Sequence, residues 1–242
     1  MNLENCIYNE TGGETKGLEA LEKQYEEEPE EQFQTAADLA YRIISQKILD
    51  GEYPPGMKLS RRKMADATGV SVIPVIEALK RLEEDCLVES KPKWGSFVTV
   101  PTKQKIIESY QLREAIEVQA ARYMAQHMTQ RQQDELMAIA TKLDTVPYTR
   151  STVSGSRDFH MMFHSRLTEF TGNRLMVDAL RKANLLWILC VALETNASKT
   201  QYPRYWHRYL LDVIAKGDPD EAERAMREHV VDSLKVIMAT ET

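Results

Sequence analysis

The chain has 242 residues, 43% of them hydrophobic, and a net charge of −6, enough for one large or two small domains that each bury a core. No apolar run reaches membrane-spanning length and the opening MNLENCIYNE is not a basic-then-apolar leader, so the expectation is a cytoplasmic protein with no membrane partner. Cys6, Cys86 and Cys190 are odd in number, far apart and without CxxC spacing, which excludes a disulfide framework or zinc knuckle; Cys86 and Cys190 read as small buried apolar residues.

Taken along the chain, the charge divides. Residues 1–35 hold ten glutamates against Lys16 and Lys23, a local −8, which leaves the remainder at +2. This acidic leader is expected to be disordered at its start and helical just before Ala36, a solvated tail rather than an arm that mimics DNA phosphates. A helix follows from Ala36 to Leu49, with Leu39, Ile43, Ile44 and Ile48 on one face, then a turn at Pro54-Pro55-Gly56. Leu59-Ser60 opens a short helix to about Ala67 with Ser60 as N-cap, and Gly69 supplies a tight turn. Ser71 caps the next helix, where Pro74 sits in the first turn and Val75, Ala78, Leu79 and Leu82 form one inward stripe. Val72, Ile76, Glu77, Lys80 and Arg81 face elsewhere. Strands at Leu87–Ser90 and Ser96–Val100 flank Lys91-Pro92-Lys93-Trp94-Gly95 as a hairpin. Three helices and a hairpin wing make a winged helix-turn-helix, so the outward set is expected in the major groove of double-stranded DNA. Arg61, Lys63, Lys80, Lys91 and Lys93 are the expected phosphate contacts. Trp94 at the wing tip either enters the minor groove or packs under the hairpin, and packing is favoured.

Beyond Pro101-Thr102 the pattern is helical only, near 104–127, 131–143, 156–171, 174–194, 202–216 and 218–239. The fold class is therefore mainly α. The expected domains are the leader (1–35), the winged head (36–102) and an all-helical bundle (103–242). Four of the five histidines fall on inward faces of that bundle. His160 and His164 share a helix face with Phe163 and Leu167, His207 lies with Leu210, Leu211 and Ile214, and His229 lies with Ala222, Met226 and Val236. Burying four imidazoles requires partners for their ring nitrogens, and a divalent cation supplies these together. In His160-Met161-Met162-Phe163-His164 a methionine stands where a zinc protease HExxH motif needs its glutamate, so an enzyme is not expected. A cation held by neutral imidazoles attracts an anion. Arg113 could add a grip on a carboxylate, or could equally pair with Glu117 one turn on.

The runs LSRRKMADATGVSVIPVIEALKRLEEDCLV and KPKWGSFV resemble the DNA-binding domain of GntR-family bacterial transcription regulators. LREAIEVQAARYMA, FHSRLTEFTGNRLM and HRYLLDVIAKGDPDEAERAMREHV are similar to the ligand-binding FCD domain of the FadR-like branch. The resemblance implies a helical bundle holding a metal with an organic acid effector near it, and a homodimer whose winged domains bind a palindromic operator. Its metal ligands fall on His160, His164, His207 and His229. Where the family commonly has an aspartate this chain has His160, which favours zinc or nickel over manganese. Arg113 matches the family's first-helix arginine toward the effector, and Arg62 its DNA-contacting arginine. Val72 and Ile76 stand where the family usually carries arginines, so the operator is expected to differ from the family's usual one. The expected DNA face is Arg61, Arg62, Ser71, Val72, Ile76, Lys80, Lys93, Trp94 and Gly95. The expected function is a repressor that releases DNA when a small anionic metabolite binds beside the metal. A direct metal sensor, a His-rich metalloenzyme and a regulator acting through protein partners are the alternatives.

Overall fold

The computed structural model describes residues 35–145, 153–192 and 206–239; the expectations for the acidic leader, Cys6 and the Cys190 side chain lie outside what it describes. Residues Ala36–Thr242 form one compact unit, built around two separate apolar cores.

The head begins with α1 (Ala36–Leu49), which buries Ala37, Ala40, Ile44 and Ile48 while Leu39 and Ile43 are only half-buried. The inward stripe is thus turned toward the two small alanines, a face on which α1 can approach the third helix of the head closely. Lys58–Leu59 is a strand, β1, and not the opening of a helix. It pairs antiparallel with the second wing strand, Lys58 opposite Phe97 and Leu59 opposite Ser96, and the sheet order is β1-β3-β2. Leu59, 2% exposed, fills the core beneath an edge that the hairpin alone would leave unpaired.

Helix α2 (Arg61–Thr68) ends at Gly69, whose φ of 73° is the left-handed closure that glycine adopts without strain. Helix α3 (Val72–Glu84) buries the expected stripe of Val75, Ala78, Leu79 and Leu82. Ser60 and Ser71 have the extended backbone of N-cap residues, but neither hydroxyl makes a capping hydrogen bond, contrary to the expectation. Arg81 is not outward either. It is half-buried, donates to Asp38 of α1 at 2.5 Å and stacks over the Tyr41 ring.

Cys86 is exposed rather than buried, and the reason is backbone geometry. Its φ is 62°, and the N–H groups of Cys86 and Leu87 reach the carbonyls of Glu83 and Leu82, a Schellman closure with cysteine in the place usual for glycine. That closure sends the thiol outward and Leu87 into the core. The wing strands are β2 (Val88–Lys91) and β3 (Gly95–Val98). Lys93 and Gly95 take φ of 68° and 98° at the tip, and Trp94 between them is 70% exposed, so it does not pack under the hairpin.

The bundle comprises α4 (Lys103–His127), α5 (Gln130–Thr145), α6 (Val153–Glu169), α7 (Arg174–Ala192), α8 (Trp206–Ala215) and α9 (Pro219–Ala239). Helix α4 lies at its centre, against α6, α7, α8 and α9. Its start is capped by Thr102, whose hydroxyl accepts from the Lys105 N–H. The Asp218 carboxylate accepts from the N–H groups of Asp220 and Glu221, and Pro219 occupies the first turn of α9, as the Asp-Pro pair predicts. No helix among the described residues is long and apolar enough to cross a membrane.

Head and bundle meet where α3 ends. The Asp85 carboxylate accepts two hydrogen bonds from the Arg181 guanidinium of α7, at 2.9 and 3.1 Å, and one from the Tyr41 hydroxyl of α1 at 2.5 Å. Leu185, one turn beyond Arg181, packs against the head core.

Candidate functional site

Four imidazoles converge inside the bundle. His160 and His164 project from one side of α6 with ring centroids 4.6 Å apart, as residues four apart on a helix must. His207, in the first turn of α8, lies 5.2 Å from His160 and 5.8 Å from His164. His229 of α9 lies 4.8 Å from His207 and 5.2 Å from His164, with the Trp206 indole against its ring at 4.1 Å. Each is at most 5% exposed. One ring nitrogen each from His160, His164 and His207 lies within 4.8 Å of the others.

Two carboxylates orient these rings from behind. Glu117 of α4 places one oxygen 2.6 Å from His164 Nδ1, while its other oxygen accepts from Arg113 Nε at 2.7 Å. Asp144, at the end of α5, lies 2.9 Å from His207 Nδ1 and also accepts the backbone N–H groups of His207 and Arg208. Asp144 engages Nδ1 of His207, Glu117 lies beside Nδ1 of His164 without completing a hydrogen bond, and Nε2 of neither ring has a hydrogen-bond partner. His229 has none at either ring nitrogen. Buried ring nitrogens without partners are costly unless something else satisfies them, and a carboxylate behind a histidine is the arrangement that fixes a metal ligand's tautomer. The donor set therefore fits a divalent cation.

The electrostatics agree. Burial, with added repulsion from neighbouring imidazoles and Arg113, pushes His160 and His229 well below the usual imidazole value. Burial pushes His207 down to about 4, although Asp144 acts in the opposite direction. These rings are neutral at pH 7, so no proton has to leave before they ligate. Burial would raise Glu117, but Arg113 and His164 outweigh it and hold the carboxyl at about 2. Glu117 is thereby an orienting anion and is unsuited to act as a general base. Met161, at the glutamate position of HExxH, packs on the apolar core.

Arg113 is 1% exposed, pairs with Glu117 and lies over the Tyr110 ring. Its geometry is that of the pairing alternative, with the guanidinium near enough to the imidazoles to depress them. Sequence reasoning missed Asp144 altogether and saw Glu117 only as a partner of Arg113. An acid four residues after an arginine looks like a surface pair, and nothing local marks either acid as facing a histidine.

On the head, Arg61, Arg62 and Lys63 in the first turn of α2, Ser71, Val72, Ile76 and Lys80 on α3, and Lys91, Lys93, Trp94 and Gly95 on the wing are all exposed. Ile73, 78% exposed, joins them and was not singled out from the sequence. Its place three residues before Ile76 is the signal that could have found it.

Comparison with known proteins bears on both halves. Residues 36–98 match the model described as bacterial regulatory proteins, gntR family, and residues 108–232 match the FCD domain. An HTH-type transcriptional regulator of Bacillus subtilis is 24% identical over 195 residues, 78% of this chain and 85% of its own length. The HTH-type transcriptional repressor RspR of Escherichia coli is 26% identical over 192 residues, 78% and 83% of the two chains. A crystal structure of a GntR regulator from Rhodococcus superposes with a TM-score of 0.68 at 24% identity, covering 84% of this chain and 97% of that one. These relatives are regulators of transcription and not enzymes. A winged helix-turn-helix joined to an FCD bundle, matched over both halves, places this chain in the GntR family of DNA-binding bacterial transcription regulators.

Proposed function

We propose that this regulator is a cytoplasmic repressor, acting as a homodimer on a palindromic operator, whose grip on DNA is set by a small anionic metabolite bound beside a divalent metal. The observation that carries the reading is the set of four buried imidazoles on three helices, three of whose Nε2 atoms, those of His164, His207 and His229, have no hydrogen-bond partner. His160, His164, His207 and His229 would hold the ion, zinc or nickel in preference to manganese because the set contains no carboxylate. Imidazoles bring no charge, so the bound ion keeps its positive charge and supplies a Lewis-acidic anchor for a carboxylate or phosphate. The name of the Escherichia coli relative supports repression as the sign of control.

The protein's own residues do the rest. Glu117 and Asp144 orient the rings, the bundle core excludes water, and Arg181 on α7 grips the end of the recognition helix. An effector works only if it binds the DNA-competent and DNA-released arrangements with different affinity.

Metal analysis of the purified full chain, followed by a thermal-shift screen of small carboxylates, tests the reading. Ligands selective for the folded state raise the melting temperature by mass action. The double variant His164→Ala, His207→Ala should lose both metal and carboxylate response; retention of both refutes the site. A second reading is a direct metal sensor, which needs no organic ligand: the Arg113 Nε is committed to Glu117, so any grip on a carboxylate would fall to its terminal nitrogens alone. Operator release on titration with zinc alone, without any organic acid, would select that reading.

A further inference from the structure

The recognition helix presents apolar side chains to solvent where a base-reading surface belongs. Val72, Ile73 and Ile76 are 41%, 78% and 40% exposed, and they lie together on the first turn and a half of α3, the part of such a helix that reaches base edges. Exposed large apolar residues scattered singly need no explanation, but three adjacent ones do. The same head exposes cations: Arg61, Arg62 and Lys63 on α2, Lys80 one turn further along α3, and Lys91 and Lys93 on the wing. Exposed cations on all three elements of the head suit the phosphates that flank a major groove, which favours bases over another protein as the target of the patch.

What such a patch can read follows from groove chemistry. The major groove carries one apolar feature, the 5-methyl group of thymine. Guanine is read by arginine or lysine; residues 71–80 contain no arginine, their one lysine, Lys80, lies a full turn beyond Ile76, and Arg81 is turned away to Asp38 and Tyr41. Glu77 is the only acid in residues 71–82, and a carboxylate accepts only from the exocyclic amines of bases while repelling phosphate. We propose that Val72, Ile73 and Ile76 form an apolar reading surface that selects thymine methyl groups, so that the operator half-site is marked by thymines and not by the guanines that arginine reads. The proposal rests on the DNA-binding reading of the head and specifies the class of sequence it takes.

The test uses the full chain, random-sequence duplex DNA and deoxyuridine, which differs from thymidine only by that methyl. Selection from the random pool should return sites with fixed thymines. Replacing a contacted thymine by deoxyuridine should weaken binding about fourfold, the worth of one buried methyl-sized group. The variant Val72→Ala, Ile73→Ala, Ile76→Ala should bring the thymidine-to-deoxyuridine affinity ratio close to one while keeping the salt dependence of binding, because the cations are untouched. Since all three side chains are exposed, the fold should survive, and circular dichroism checks it. Selected sites indifferent to deoxyuridine at every thymine, or fixed by guanines alone, overturn the proposal, as does salt-dependent binding with no preferred sequence. Failure to retain any duplex at low salt overturns it too, and marks the fault as lying in the DNA-binding reading itself.

Discussion

Replacing Arg181 by alanine removes both hydrogen bonds that tie the bundle to the end of the recognition helix. The Asp85 side chain is 7% exposed and that of Arg181 49%, so the variant leaves a carboxylate in a poorly solvated place while sacrificing a cation that was half in water. Hydrogen bonds to charged groups contribute about 1.5–3 kcal/mol each. Solvent screening at the guanidinium reduces that, and the Tyr41 hydroxyl continues to donate to Asp85. The expected loss is about 2 kcal/mol, a fall in Tm of about 4–8 °C for a unit of this size. Scanning calorimetry of the full chain measures it, and the cycle with Asp85→Asn isolates the pair from other effects of each substitution. Burial pushes Asp85 up, but Arg181 and Tyr41 outweigh it, and its carboxyl is held below the usual 3.8. A depressed carboxyl contributes stability above the unfolded value and loses it only as pH falls through the folded one, so the penalty should be the same at about pH 8 and about pH 5. A variant melting within about 1 °C of the parent, or a penalty that vanishes by about pH 5, refutes the role assigned to this pair.

Glu117→Gln should weaken metal binding about 10–100-fold by releasing the His164 ring from its carboxylate, measured by competition with a chromophoric chelator; Asp144→Asn should act likewise through His207. In the metal-free protein, His207 is neutral in the folded state and depressed from 6.5 to about 4. Stability is therefore full above about pH 6.5 and falls by about 3 kcal/mol toward pH 4 from this residue alone. Denaturant titration in the presence of chelator reads the slope, and a flat profile across that window contradicts the buried neutral ring. Lys80→Ala should weaken DNA binding at every sequence and lower the slope of log affinity against log salt by about 0.9, as loss of one phosphate contact requires.

Much of this was legible because it depends on spacing within one element. The inward stripe of α3, the Asp218-Pro219 helix start, the wing and the four histidines are all periodic or local signals, and the structure brings the four rings together. What escaped were features whose cause lies far off in sequence. Strand β1 is two residues long, and only the free edge of β3 makes Leu59 a strand residue. Asp144 and Glu117 resemble surface acids until α5 and α4 are laid against α8 and α6. Cys86 is apolar and follows a helix, which suggested burial, but the left-handed closure of α3 decides its direction. Leu39 and Ile43 were expected inward, yet packing selected the alanine side of α1.

Helix α7 touches both ends of the molecule's business within a single turn. Asn184, 3% exposed, reaches from α7 to Ser165, the residue after His164, while Arg181 three positions earlier holds Asp85. A helix transmits displacement along its length with little give. A displacement of α7 that followed α6 would bear on Asp85, where α3 has just ended. One turn of α7 thus meets both the helix that carries His160 and His164 and the end of the helix that faces DNA.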